Sequence, residues 1–126
     1  LGVPALAFST SPAYYDRAIQ HLDAIYDFIC SNRLMEKNDL YNINIPECPV
    51  GFRITRQGGP YYSDEFEFQK NDMVMPCGID VFQPSNTKDL DTDAVLVHHL
   101  ISISPLTIDR TNHAVFAQLK TLNEEN

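Results

Sequence analysis

Three different spacings of apolar residues follow one another along this chain, and each predicts a different element. Residues 3–9 are continuously apolar between turn-forming residues, the pattern of a short strand buried on both faces of a parallel sheet. Ser11 then offers an N-cap, Pro12 suits the first helical position, and Asp16 places negative charge near the positive end of the helix dipole. Tyr14, Ala18, Leu22, Ile25, Tyr26 and Ile29 recur at spacings of three and four, which predicts a helix to about residue 30 with one apolar face. Residues 40–45 alternate, with Tyr41, Ile43 and Ile45 on one side, and Pro46 closes this second strand because it has no N–H for an internal ladder. A strand-helix-strand unit winds right-handed, so its strands are parallel and the fold class is α/β.

Beyond residue 50 the spacing changes. Residues 51–56 set Phe52 and Ile54 against Arg53 and Thr55 as a half-buried strand, and Gly58-Gly59-Pro60 forces a turn. Tyr61, Tyr62, Phe66 and Phe68 interleave with polar residues and are answered by Gly78-Ile-Asp-Val-Phe82 after a polar connection through Asn71-Asp72, a two-stranded arm. A lone hairpin is marginal in water, so the arm reads as an oligomerisation device, with an extra edge folded back on its own domain as the alternative. Ser85, Asn86 and Asp89 make residues 84–91 a turn-prone linker. A short helix capped by Asp91 or Thr92, a strand over 100–104 ended by Pro105, and a last helix over 110–122 follow. Asp109 precedes that helix; Val115, Phe116, Leu119 and Leu122 lie on one of its faces, and 123–126 read as a frayed end. The chain thus divides into core (1–60), arm (61–83) and linker, strand and tail (84–126).

Composition narrows the partners. The net charge of −8, with nine Lys and Arg forming no cluster, argues against a nucleic-acid polymer. A small phosphorylated ligand is still compatible, because a bound divalent metal reverses the local field. No apolar run approaches the roughly 20 residues that span a bilayer, so no membrane partner is expected. Cys30, Cys48 and Cys77 are odd in number and far apart, which suits free thiols in a reducing cytoplasm and neither zinc nor a disulfide. Leu1-Gly-Val-Pro4 leads straight into a strand, so the chain reads as the remainder of a longer polypeptide.

Few residues offer chemistry. His21 and Asp23 are two apart and diverge on a helix, and neighbouring His98 and His99 diverge likewise. Asp91 and Asp93 at a helix start read as caps before metal ligands. Ser9, Asn42 and Asn44 lie at or near the C-terminal ends of the predicted parallel strands, where open α/β sheets bind ligands, and are candidates for a substrate crevice. The alternative for the asparagines is a polar strand face without ligand.

Taken in order, Leu1-Gly-Val-Pro-Ala-Leu-Ala-Phe-Ser9, Asn42-Ile-Asn-Ile-Pro46, Gly51-Phe-Arg-Ile-Thr-Arg56, and Asp91-Thr-Asp93 with Ser102-Ile-Ser-Pro-Leu106 make the chain resemble the C-terminal half of the SurE family of survival-protein nucleotidases. The resemblance runs from residue 1 to about 122 and implies a Rossmann-like three-layer fold with a protruding β-hairpin and a C-terminal helix. It implies metal-dependent hydrolysis of nucleoside 5′- and 3′-monophosphates or other small phosphate esters. It also implies a homo-oligomer, dimer or tetramer, that exchanges hairpin and tail. The family's divalent metal, magnesium or manganese, is held by an Asp-Asp-Gly motif, a serine and an asparagine-containing Gly-x-Asn-x-Gly-x-Asn loop of the N-terminal half. No residue of this chain matches them, so no catalytic or metal-binding residue is assigned in this stretch. Asp109 and His113 match an Asp and a His of the family's C-terminal segment and join Tyr61, Tyr62, Phe66, Phe68 and Phe82 as assembly candidates; a local cap and a surface histidine are the alternative. Gly59-Pro60 stands where the family often has a basic residue, which leaves arm geometry and substrate contacts open. The rival readings are a non-catalytic oligomerisation module or inactive fragment, and an unrelated small α/β binding domain.

Overall fold

The computed structural model describes residues 3–85, 87–109 and 111–120. Strand β1 (Ala5–Ser9) runs parallel to β2 (Leu40–Asn44), Ala5 opposite Leu40 and Ser9 opposite Asn44. Between them lie helices α1 (Tyr15–Ala18) and α2 (Leu22–Ser31), linked and flanked by 3-10 turns at Pro12–Tyr14, Ile19–His21 and Leu34–Glu36. Ser11 is the extended residue before the first turn, and Pro12 enters it without losing a needed N–H. Strand β3 (Phe52–Ile54) is followed by a hairpin of β4 (Phe66–Phe68) and β5 (Val74–Pro76), by α3 (Asp91–Leu96), β6 (Ile101–Pro105) and α4 (His113–Leu119).

The main sheet has the order β1-β2-β6-β3. Both β1/β2 and β3/β6 are parallel pairs joined through helices, and the two pairs meet antiparallel where β2 lies against β6. The expected parallel unit is therefore present, and it occupies half of a mixed α/β sheet of the Rossmann-like class.

The two faces of the sheet differ chemically. Tyr41, Ile43, Ile101 and Ile103 point to one face and pack with Ala18, Ile25, Ile29 and Leu34 from the helical connection. Ile43 sits opposite Ile103, and both are fully buried. Each such side chain contributes roughly 1.5–3 kcal/mol relative to exposure. Phe28 of α2 stacks on Phe52 of β3 with ring centroids 4.6 Å apart, extending this core to the far edge. Tyr41 donates its hydroxyl to the Leu34 carbonyl at 2.7 Å, and burial pushes its phenol pKa up. The opposite face carries Asn42 beside Ser104 and Asn44 beside Ser102. Helix α3 packs over β6 there, so Ser102 and Ser104 are buried as well, and Ser104 shares a 2.7 Å hydrogen bond with Thr55.

Several expectations change in three dimensions. Residues 3–9 were expected to be buried on both faces, yet β1 is the edge of the described sheet and is largely exposed, with only Leu6 packed against the core. Leu22 and Tyr26 belong to the predicted apolar helix face but are exposed, whereas Ala18, Ile25 and Ile29 are buried in the core and Phe28 packs against it. Along β3 the alternation holds but the burial is reversed: Ile54, opposite Ile103, is exposed on an edge strand, while Thr55, just beyond the strand, is buried where it bonds Ser104. Helix α3 is capped by Leu90, with Asp91 inside its first turn. Asn112, not Asp109, caps α4, accepting from the Val115 N–H at 3.1 Å. That helix leaves Val115, Phe116 and Leu119 exposed. Asn86, Arg110, Leu122 and the end at 123–126 lie outside the described residues.

The predicted arm is a hairpin, but its regular strands lie nearer the tip than the sequence suggests. Phe66 pairs with Pro76 and Phe68 with Val74. The bridge from Tyr62 to Asp80 continues the same register toward the base. Asn71 and Asp72 take left-handed angles, φ 70° and 56°, at the turn, where short polar side chains are tolerated. Gly78 is required between these ladders because a Cβ there would collide with the Ser63 carbonyl oxygen.

Candidate functional site

The antiparallel seam sets up the site. Strands β1 and β2 end where β6 begins, which brings Ser9, Asn44 and Ser102 into one row across three strands. The Ser9 hydroxyl donates to Asn44 Oδ1, and Asn44 Nδ2 donates to Ser102 Oγ at 3.0 Å. Asn42 Nδ2 lies 3.5 Å from Asn44 Oδ1, at the long limit of a hydrogen bond. A cavity of about 800 Å³ opens at this end of the sheet, and Ser9, Asn42 and Asn44 all line it. The three crevice candidates are thus brought together by register; Ser102, which completes their row, was missed. The Ser-Ile-Ser alternation of β6 carried the signal, but the strand's pairing partner was not readable.

The loop after β2 supplies a second wall. Glu47 accepts from Arg17 Nη1 at 2.7 Å, and the Arg17 guanidinium sits 5.9 Å from the centre of the Tyr14 ring. Hydrogen bonding to Glu47, then the charge of that carboxylate, holds the Tyr14 hydroxyl above the ordinary phenol range. Tyr14 was expected only on the apolar helix face, and it lies instead in the 3-10 turn before α1; Glu47 was not singled out by the sequence.

Helix α3 and the turn before the hairpin form the third wall. Asp91 Oδ1 accepts from the Gly58 and Thr92 backbone N–H groups, each at 2.7 Å. Gly58 allows that approach, since a Cβ would run into the Thr92 side chain. Asp93 is buried and accepts from the Ser85 N–H at 2.6 Å and hydroxyl at 2.8 Å, fastening the linker to the helix. Both carboxylates are committed to structure, and among the described residues no three His, Cys, Asp or Glu are grouped to hold a metal ion. Of the histidine pair, His99 lines the cavity, at a left-handed φ of 52°.

The assembly candidates separate into three places. Tyr61 and Tyr62 line the cavity, their ring centroids 4.5 Å apart and tilted by 50°. Phe66 and Phe68 lie exposed on the hairpin, and Phe82 is half-buried with its N–H on the Asp80 carboxylate at 2.8 Å. Asp109 and His113 meet at 2.6 Å beside α4. The Thr111 N–H, then the Thr111 side chain and His113, hold the Asp109 carboxyl below the usual carboxylate range.

The profile of the family described as "Survival protein SurE" matches residues 1–64. The 5′-nucleotidase SurE of Carboxydothermus hydrogenoformans is 33% identical over 136 residues, covering 95% of this chain and 49% of that protein. The chain belongs to the SurE family. The 5′-nucleotidase SurE of Coxiella burnetii is 31% identical, covering 94% of this chain and 49% of its own length. The crystal structure of the SurE protein from Aquifex aeolicus superposes with a TM-score of 0.66 at 24% identity, over 97% of this chain and 52% of that one, and shares the fold. The chain therefore spans about half the length of the SurE relatives it matches.

Proposed function

We propose that this chain is the C-terminal part of a metal-dependent nucleoside monophosphate phosphatase, a 5′/3′-nucleotidase. The observation that supports the reading best is the Ser9–Asn44–Ser102 row at the edge of an 800 Å³ cavity in a chain of the SurE family. Phosphate-monoester hydrolysis is among the slowest uncatalysed reactions, and a divalent ion, magnesium or manganese in this reading, would neutralise the phosphate. The described residues do not fit such an ion, because no three His, Cys, Asp or Glu are grouped among them, and Asp91 and Asp93 each already accept two hydrogen bonds on Oδ1. In this reading its ligands belong to the N-terminal half, and no step of the reaction runs through the residues of this chain as ligands.

What this chain contributes is orientation. Cross-strand pairing holds the serines and Asn44 rigidly, so their polar atoms are fixed before substrate arrives. Asn42 makes the longest contact of the group and is the donor most easily diverted to a substrate oxygen. The exposed hairpin and α4, with the Asp109–His113 contact beside it, serve assembly into a dimer or tetramer. The working compartment is the cytoplasm; among the described residues, no helix is long and apolar enough to cross a membrane.

Release of inorganic phosphate from adenosine 5′-monophosphate, with manganese or magnesium and beside a chelated control, tests the reading. Chelator-sensitive turnover is expected from the polypeptide containing both halves and none from this chain alone. Silence from the two-half protein overturns the reading. The committed acids and exposed hairpin aromatics favour one alternative, an assembly module without hydrolysis, which predicts oligomers and no turnover in either form.

A further inference from the structure

The continuous register of the hairpin sorts its side chains onto two unlike faces. Glu67 pairs with Met75, and the bonds from the Gln69 N–H to the Met73 carbonyl and from the Cys77 N–H to the Glu65 carbonyl extend that pairing one alternate position each way. Because side chains alternate across a strand, Met73, Met75 and Cys77 share one face, with Glu65, Glu67 and Gln69 opposite them. Phe66, Phe68, Val74 and Pro76 take the other face, and that apolar side is the one suited to a subunit contact. Two of the chain's three methionines and one of its three cysteines thus form a single row at positions 73, 75 and 77. Met73 is 64% and Met75 56% exposed, so neither thioether fills a core, whereas the third methionine, Met35, packs against one.

The chemistry of the row selects its ligand. Thioether sulfur is soft, polarisable and uncharged, a poor ligand for magnesium or manganese and a good one for Cu(I), and a thiolate adds charge to the same preference. Alternate residues of a strand lie roughly 6.5–7 Å apart, and the three rotatable bonds of methionine let its sulfur lean along the strand toward a neighbour. Met75, in the middle, has Cys77 on one side and Met73 on the other. Glu65 and Glu67 on the paired strand add negative potential, which favours a cation over a neutral or anionic ligand. Among the described residues no three His, Cys, Asp or Glu are grouped to hold a metal, so these carboxylates act through charge and the sulfurs supply the bonds. We propose that the hairpin carries a binding site for a soft monovalent cation of the Cu(I) class, held by Met75 and the Cys77 thiolate, with Met73 completing the coordination. Binding exchanges the thiol proton, released to solvent, for the ion, and no electron is transferred. The inference goes beyond the phosphatase reading and does not depend on it.

Silver(I), which shares the charge and softness of Cu(I) without its redox chemistry, is the probe, titrated into the purified protein in chloride-free buffer. Cys30 and Cys48 are exposed thiols on other elements, so Cys30→Ser with Cys48→Ser provides the background. Proton NMR of the methionine methyl groups, assigned by single Met→Leu variants, is expected to show Met73 and Met75 shifting together and saturating with a single ion while Met35 stays in place. Met73→Leu with Met75→Leu keeps the apolar volume and is expected to weaken Ag(I) at least about tenfold, the scale on which even supporting groups act at metal sites. Cys77→Ser is expected to weaken it further, and circular dichroism checks the fold of each variant. Unshifted Met73 and Met75 methyl groups, or undiminished affinity in the double leucine variant, would assign the silver to a lone thiol and overturn the site. Displacement of Ag(I) by Zn(II) at comparable concentration would also overturn it, because a borderline ion would then be preferred to a soft one.

Discussion

The seam between β2 and β6 and the hairpin of β4 and β5 are built from similarly apolar residues and end in opposite environments. Ile43 and Ile103 are 0% exposed, whereas Phe68 is 87% and Phe66 64% exposed. The difference lies in neighbours: β2 and β6 each have a strand on both sides and a covering helix, whereas the hairpin pairs only with itself. Apolar composition therefore says what a segment would gain by burial, and topology says whether it is buried. A hairpin with bare aromatic faces carries an unmet demand for a partner, which is the physical basis for reading it as an assembly arm.

The sharpest way to break that comparison is to truncate one side chain in each region. Ile103→Ala should cost about 3–4 kcal/mol in urea unfolding, because it empties space that the surrounding helices and sheet fill only in part. Phe68→Ser should change the same measurement by no more than about 0.5 kcal/mol. If the hairpin joins subunits, the second variant instead shifts the gel-filtration volume and makes stability depend on protein concentration. Equal losses at both positions would mean that the arm is packed in solution.

Gly78→Ala should cost about 2 kcal/mol of local stability, because the added methyl group meets the Ser63 carbonyl. Amide exchange should accelerate over residues 61–81 and not in β2 or β6, separating the two regions as folding units. Ser104→Ala should cost about 1–2 kcal/mol by stranding the buried Thr55 hydroxyl. Thr55→Val combined with Ser104→Ala should cost less than the two single changes added together, as a double-mutant cycle would show.

The smallest effect is at the surface. Arg53 bonds Asp89 first and its charge adds to the bond, so the Asp89 carboxyl titrates below its ordinary value. Its contribution to stability is complete above the unfolded-state pKa and is lost as pH falls through the lower folded-state value. Arg53→Gln should move the Asp89 titration upward in carbon-detected NMR, with little change in stability at neutral pH because the pair is exposed.

Much of the architecture was legible because it is written in local signals. The helix entry at Ser11-Pro12 and the alternation of Tyr41, Ile43 and Ile45 each depend on residues within one or two turns of chain. Hairpin formation was visible in the aromatic spacing and the Asn71-Asp72 turn, though its regular strands lie nearer the tip than expected. Ser9, Asn42 and Asn44 could be expected beside one crevice for the same reason, as polar residues near the ends of strands, and all three line the cavity. Asp91 was misplaced as a cap because its true partner, Gly58, lies 33 residues away. Glu47 carried no pattern, since what gives it a place is the ion pair to Arg17 across a sequence gap of 30, and Tyr14 carried only the apolar spacing of a helix face.

By itself, then, the sequence determined where the chain turns, which segments are helix or strand, and the α/β class, because backbone propensity and side-chain period act over a few residues. Only the tertiary structure decided that β6 inserts between β2 and β3, antiparallel to the first and parallel to the second, that Ser102 completes the row begun by Ser9, and that Tyr61 and Tyr62 face a cavity. Asn44 and Ser102 are 58 residues apart in the chain. Their meeting depends on the closure of long loops around a shared core, a cost and a reward that no local pattern records.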